Sequence, residues 1–179
     1  FRSPDEFAGD GVYSTDLPLA GSQAGEMIRW RVESRDVNGL ASENPLFFDP
    51  LNSPEYYGTV VLDPTLNSDL PVLEWFIENP KAANNRTGTR VAVMHLGEFY
   101  DNVYCRIRGG SSAGLSKKSY KFDFNTGHHF GTVEKLGGVR AEEFNLNTTW
   151  TDKTYVRQPL SYEVYDLAGS PGSECFLMR

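Results

Sequence analysis

Basic residues are in short supply: Lys and Arg number 17 against 24 Asp and Glu, giving a formal net charge of -7 and a pI near 5.0. That balance excludes a broad cationic surface for nucleic acid or anionic lipid, so any basic site must be local. Long apolar runs are missing as well. No stretch approaches the roughly 18 to 20 residues that span a bilayer, and no membrane span is expected. Cysteine occurs twice, at Cys105 and Cys175. This permits one disulfide in a secreted protein or two buried free thiols, and the count alone does not choose. Histidine is rare too. His128 and His129 follow Gly127 with no companion Cys or His at ligand spacing, which favours a surface turn over a metal site.

The first residues, Phe1-Arg2-Ser3-Pro4, are neither a signal peptide nor an initiating methionine. The last five, Cys175 to Arg179, are an apolar stretch without a closing turn. The chain therefore reads as a piece of a longer protein, ending just before or within a strand.

With 39% hydrophobic and 13% aromatic residues, the composition is that of a globular domain with a packed core. Residues 1 to about 50 read as β structure. Val12 and Tyr13 follow a Gly-Asp-Gly turn, and "EMIRWRVESRD" alternates Ile28, Trp30, Val32 and Ser34 against Met27, Arg29, Arg31 and Glu33. The turn "DVNG", Asp36 to Gly39, closes that strand. Acidic turn residues such as Asp10 and Asp36 suit calcium in principle, but their ordinary role is to bond nearby backbone N–H groups. Such a segment reads as the closing strands of a β-sandwich. The sequons at Asn85-Arg86-Thr87 and Asn147-Thr148-Thr149 matter only in a glycosylating host.

Prolines at 45, 50, 54, 64 and 71 then mark a linker, with a domain boundary expected near Pro54. The division is thus residues 1–53 and 54–179. "LPVLEWFIENP" reads as a short helix ending before Pro80. "TRVAVMHLGEFYDNVYCRIRG" reads as a hairpin turning at Gly97-Glu98, with Val103, Cys105 and Ile107 on one face of the return strand. A second helix is expected from about Asp152, as N-cap, to Leu167, with Val156, Leu160, Val164 and Leu167 on its core face and Gly169 after its end.

The stretch "RGGSSAGLSKKSYKFDF", 108 to 124, carries the chemistry worth weighing. Gly109, Gly110, Ser111 and Ser112 supply a loop whose N–H groups can converge on a phosphate, and Lys117 or Lys118 supplies a cation. The spacing is neither a P-loop nor a kinase glycine loop, so a plain hairpin turn stands beside the phosphate reading. Strand alternation puts Lys118 on the face of Tyr120, Phe122 and Phe124, where its charge needs a partner. Glu163 is either that partner or a solvated helix residue. Arg157 lies near a helix N-terminus, the wrong end for a cation, and so calls for a carboxylate or phosphate partner.

As an ordered set, "YDNVYCRIRGGSSAGLSKKSYKFDF" and "EEFNLNTTWTDKTYVRQPLSYEVYDLAG" resemble the CotH kinase-like family, named for spore coat protein H, over about residues 70 to 179. The resemblance implies the N-terminal lobe of an atypical protein kinase, an antiparallel sheet with helices, which after the partial β-sandwich strands makes the expected architecture α+β. It implies Mg-ATP as cofactor and phosphate transfer to Ser or Thr of a protein substrate. Arg108, Gly109, Gly110, Ser111 and Ser112 would then lie at the nucleotide and Lys118 at its phosphates, supported by Lys117, Asp152 and Arg157; Glu163 enters by analogy with ordinary kinases. The catalytic and magnesium-binding aspartates of such kinases are expected beyond Arg179, so the 179 residues alone are expected to be inactive. The first segment resembles the end of an immunoglobulin- or fibronectin-like module, which implies an extracellular or cell-surface setting. The alternative is a non-catalytic surface module on a kinase-like scaffold, and for a sugar-binding form of it Trp30, Tyr56 and Tyr57 are the aromatic candidates.

Overall fold

The computed structural model describes residue 11 and residues 14–179, so the expected strand at Val12-Tyr13 and the turn at Asp10 lie outside the described residues. The chain is mostly β with two α-helices among the described residues, an α+β fold. Strands β1 (Met27–Trp30), β2 (Val32–Arg35), β3 (Ala41–Asn44) and β4 (Tyr57–Val60) come first. They form two separate antiparallel ladders, β1 with β4 and β2 with β3, and no second sheet layer forms among the described residues. The predicted continuous strand breaks at Arg31, because its two halves pair with different partners. The Asp36 turn is as expected: its carboxylate accepts from the N–H groups of Asn38 and Leu40, at 2.9 and 2.7 Å.

The main body is a five-stranded antiparallel sheet in the order β11-β8-β7-β6-β5. Its members are β5 (Leu73–Ile77), β6 (Thr89–His95), β7 (Glu98–Arg108), β8 (Ser119–Asp123) and β11 (Glu143–Leu146), with a small ladder of β9 (Phe130–Gly131) and β10 (Arg140–Ala141) beside it. The predicted helix over "LPVLEWFIENP" is instead β5, paired with β6 from Leu73↔His95 to Ile77↔Val91. Trp, Phe and Ile favour a pleated half-buried surface, and a run of this length suits a strand better than a helix. Pro80 starts a helix and does not end one. Helix α1 (Pro80–Ala83) has Asn79 as N-cap, its side chain accepting from the Ala82 N–H at 3.0 Å, with proline at the position where a missing N–H costs nothing. The β6–β7 hairpin turns one residue earlier than read, through Leu96 and Gly97 at φ 48° and 82°, the left-handed pair that matches the strand twist of a two-residue hairpin.

Core packing runs through Val91, Val93, Tyr100, Val103, Cys105, Phe122, Phe124 and Phe130. Phe122 stacks on its cross-strand partner Phe144 with ring centroids 4.9 Å apart, and Phe130 packs on Phe144 at 4.6 Å. Both cysteines are free thiols; burial pushes the Cys105 thiol up to about 12 and raises that of Cys175. Phe176 and Met178 pack against this core, and Arg179 bonds the backbone of Pro71 and Leu73 at the edge of β5.

Strand β7 contains an irregularity that positions the linker. Val91 pairs with Val103 but Val93 with Tyr100, so β7 carries an extra residue there, with Asn102 at φ 54°. A bulge of this kind re-aims side chains. The Asp101 carboxylate, 5% exposed, accepts from the N–H groups of Glu55 and Tyr56 at 3.0 and 2.9 Å and pairs with Arg29 at 3.5 Å. Asn102 donates to the carbonyls of Pro50 and Ser53. The ladder β1–β4 thus straddles the boundary expected at Pro54.

Helix α2 (Arg157–Leu167) starts five residues later than expected, with Val156 as N-cap in place of Asp152. Pro159 explains the shift. A helix begun at 152 would bury that proline in its second turn, where its ring and missing N–H break the ladder, whereas starting at 157 leaves it in the first turn. Gly169 follows the end at φ 69°, as read. The expected core face is not covered: Leu160, Val164 and Leu167 are 53, 60 and 81% exposed. None of the residues that form or pack against the hydrophobic core comes from α2, and no residue of the helix is buried.

Replacing Asp101 by Ala is expected to destabilise the chain by about 3 kcal/mol, from two charge-assisted hydrogen bonds and stranded N–H groups. Hydrogen exchange should show faster amides at Glu55 and Tyr56 and unchanged protection at Val91 and Val103. His95 gives a pH prediction. Its ring is 1% exposed, stacked on Phe130, with Nδ1 bonded to the Val72 carbonyl at 3.0 Å and Nε2 without a partner among the described residues. Burial lowers its pKa below the ordinary value. The unfolded chain therefore binds the extra proton first, and stability falls as pH drops below about 6.5. His95→Asn, which keeps a donor toward Val72, should lower Tm at pH 7 yet flatten the decline in Tm between pH 7 and 5.

Candidate functional site

The loop between β7 and β8 begins at Gly109, φ 100°, where an added Cβ would fall 2.0 Å from the Ser112 hydroxyl. Glycine is required there because the loop folds back on itself. Ser111–Gly114 then form a single 3-10 turn, closed by Ala113 N–H to Gly110 O and Leu115 N–H to Ser112 O. The N–H groups of Ser111 and Ser112 open this turn and have no acceptor within it. Gly110 faces open space.

Lys118 is half-buried, and its ammonium group donates to the carbonyls of Ala113 at 2.8 Å and Leu115 at 3.3 Å. The sheltered lysine thus finds its partner in its own loop. It forms no ion pair with Glu163, which is exposed on α2. Lys117 is exposed at the loop exit. Arg108, at the end of β7, donates to the Asn147 side chain at 2.9 Å, and Asn147 in turn takes its amide to Gln158 at 3.2 Å. The structure so brings together Arg108, the loop, and the start of α2.

Asp152 and Arg157 meet as well. One Asp152 oxygen accepts from the Thr154 N–H and hydroxyl, and the other from the Arg157 N–H at 3.0 Å, while the Arg157 guanidinium lies 3.6 Å away. These bonds, the Thr154 hydroxyl first, hold the Asp152 carboxyl below its ordinary pKa. Asp152 thus serves the helix entrance without being its N-cap, and the partner of Arg157 is a carboxylate.

Sequence reasoning missed three contributors. Arg86, from the turn after α1, donates to the Gly109 carbonyl and braces the loop from below. Ser119 is buried and accepts from the Thr148 N–H at 3.1 Å. The Thr148 hydroxyl is buried without a partner among the described residues, and the next residue, Thr149, is held at φ 48°, a strained setting for a β-branched side chain. In the sequence that segment was marked only by the sequon at 147–149 and by its place in the stretch that carries the family resemblance, neither of which points to Thr148 itself. His128 and His129 sit in the expected turn, beside an open cleft of about 530 Å³ that also holds Glu98, Tyr100 and Arg140. There Arg140 and the Tyr100 hydroxyl hold Glu98 below its usual pKa, and burial followed by Glu98 pushes Tyr100 up to about 12.

The fold and the loop define a mostly β, α+β protein with a glycine-serine loop joined to the start of a helix through an arginine. Residues 105–176, less than half of the chain, match the family described as CotH kinase protein, and that segment is CotH-like. The match takes in the end of β7, the loop, β8, β11 and α2. No curated protein matches the chain.

Lys118→Met should lower stability by about 1 kcal/mol through the loss of two partly exposed charge-assisted bonds, seen as a drop in Tm with amide protection lost only at residues 110–116. Gly109→Ala should cost about 1–3 kcal/mol, because the added Cβ meets Ser112 on a left-handed backbone.

Proposed function

We propose that the CotH-like segment is the nucleotide-binding part of an atypical protein kinase that moves phosphate from ATP to serine or threonine of a protein substrate. The observation that carries this reading is the match over residues 105–176, which contains the end of β7, the whole loop and β8. The nucleotide's phosphates fit this chain at the free N–H groups of Ser111 and Ser112, with Arg108 and Lys117 as flanking cations. Gly110, which faces open space, keeps that approach free of side chains, and Gly109 lets the Ser112 hydroxyl fold against it. Arg108 orients the loop against the start of α2 through Asn147. Lys118 reaches a phosphate only by releasing Ala113 and Leu115; until then it holds the turn in shape.

Among the described residues no group of three or more His, Cys, Asp or Glu side chains lies close enough to hold a metal by itself, whereas magnesium carried on a nucleotide's phosphates needs only one or two protein carboxylates. On this reading the metal-binding carboxylates come from elsewhere, and these residues bind nucleotide without turning it over. The resemblance of the first strands to surface modules supports an extracellular or cell-surface location. No helix of the described residues is long and apolar enough to cross a membrane.

A second reading, a non-catalytic surface module, draws on one observation: the Lys118 amine is already bound to its own loop. Titration of the 179-residue chain with ATP separates the two. Kinase ancestry with a working site predicts saturable heat of binding, weakened about tenfold in Arg108→Ala, and labelled phosphate transfer by the complete protein that Lys118→Ala abolishes. No ATP binding, with Lys118→Ala lowering Tm alone, would leave Lys118 a structural brace and the module non-catalytic.

A further inference from the structure

At the opposite end of β7 from the loop lies a cleft of about 200 Å³ between the β1–β4 ladder and the main sheet. Its walls are Trp30, Tyr56, Tyr57 and Phe99, with Pro45 and Pro54 at the sides. Trp30 and Tyr57 lie stacked with centroids 6.3 Å apart and an interplanar angle of 29°. The Tyr57 hydroxyl donates to the Asn44 side chain at 2.8 Å, which fixes that ring, and Tyr57 remains 40% exposed. Gly58 permits the close approach below, since a Cβ would come within 2.4 Å of the Phe99 ring.

The rim is charged, and unevenly so. Arg31 is shared by Glu33 at 2.6 Å, Glu55 at 3.5 Å and Glu43 at 3.9 Å, while Arg29 is taken by Asp101. Four carboxylates therefore surround two guanidinium groups, both of which lie over the Tyr56 ring. The rim is net negative.

We infer that this cleft takes a proline-rich segment in the polyproline II conformation with a basic residue at one end. Stacked aromatics flanked by prolines make slots for pyrrolidine rings, and such a segment loses little entropy because it is extended beforehand. Its carbonyls need donors, and the indole N–H of Trp30 has no acceptor among the described residues. Its cation meets the surplus carboxylates around Arg31. A saccharide suits the cleft less well, because Asp101 is spent on two N–H groups and Arg29, and the Tyr57 hydroxyl on Asn44, which leaves the Trp30 N–H and the His128 side chain as the polar groups that line it.

The test is a titration of the 179-residue chain with a peptide of eight prolines followed by two arginines, read by tryptophan fluorescence and amide chemical shifts. Saturation is expected, with shifts at Trp30 and Tyr57. Affinity should fall about tenfold in Tyr57→Ala, about tenfold with glutamates in place of the arginines, and further in 0.5 M salt. Tyr57→Ala is checked for an unchanged fold by its Tm, and Trp30→Phe, which keeps an aromatic ring but removes the N–H, should weaken binding without unfolding. Absence of saturation at millimolar peptide, equal binding of the glutamate peptide, indifference to Tyr57→Ala, or displacement of the peptide by cellohexaose would each overturn the inference.

Discussion

The carboxylate of Asp101 is the constraint on which the arrangement of this chain rests. It sits in the one irregular stretch of β7, accepts two linker N–H groups and neutralises Arg29 from β1. A regular strand would have sent that side chain elsewhere, because alternation leaves no way for neighbours Asp101 and Asn102 both to reach the linker. The extra residue makes it possible. From it follow the seating of residues 50–57 on the sheet, the position of β4, and the aromatic cleft that β4 shares with Phe99.

At the other end of the same strand the polar interactions turn inward. Arg86 and Lys118 both donate to loop carbonyls, so the cations near residues 109–116 hold the loop's acceptors and leave the opening N–H groups exposed. That division is what an anion site requires, since carbonyl oxygens left bare would repel the anion that the N–H groups attract. The strain at Thr149 and the Thr148 hydroxyl, which has no partner among the described residues, lie next to this loop, through Ser119.

Alternation made much of this legible. Val103, Cys105 and Ile107 read as one face of a strand and are buried together, and the Asp36 turn follows from its carboxylate. The CotH-like segment was legible as an ordered set of residues, where the loop alone gave two readings. Other elements were hidden for physical reasons. "LPVLEWFIEN" carries no strict period, so its pairing with β6 decided its state. The bulge was foreshadowed only by Asp-Asn inside a run of strand formers. Arg86 lies 23 residues from the carbonyl it braces, and no local pattern marks such a contact. The three aromatics at 30, 56 and 57 carried a weak sign of a binding face; that they converge depends on β1 pairing with β4 across the proline-rich linker.

Strand β7 thus serves two places at once, with Phe99 near its beginning and Arg108 at its end. At about 3.3 Å per residue the two are roughly 30 Å apart, several times the Debye length of about 10 Å at moderate salt. Exposed charges at one end therefore have little electrostatic hold on the other. Coupling would need a mechanical route, and the strand between them is the best-packed part of the sheet, with Val103 and Cys105 fully buried against Val91 and Phe122. Such a core transmits displacement poorly unless it has a second packed arrangement. On the two readings proposed above, the aromatic cleft and the glycine-serine loop would act as independent sites on one rigid support, the first for a partner chain and the second for an anion.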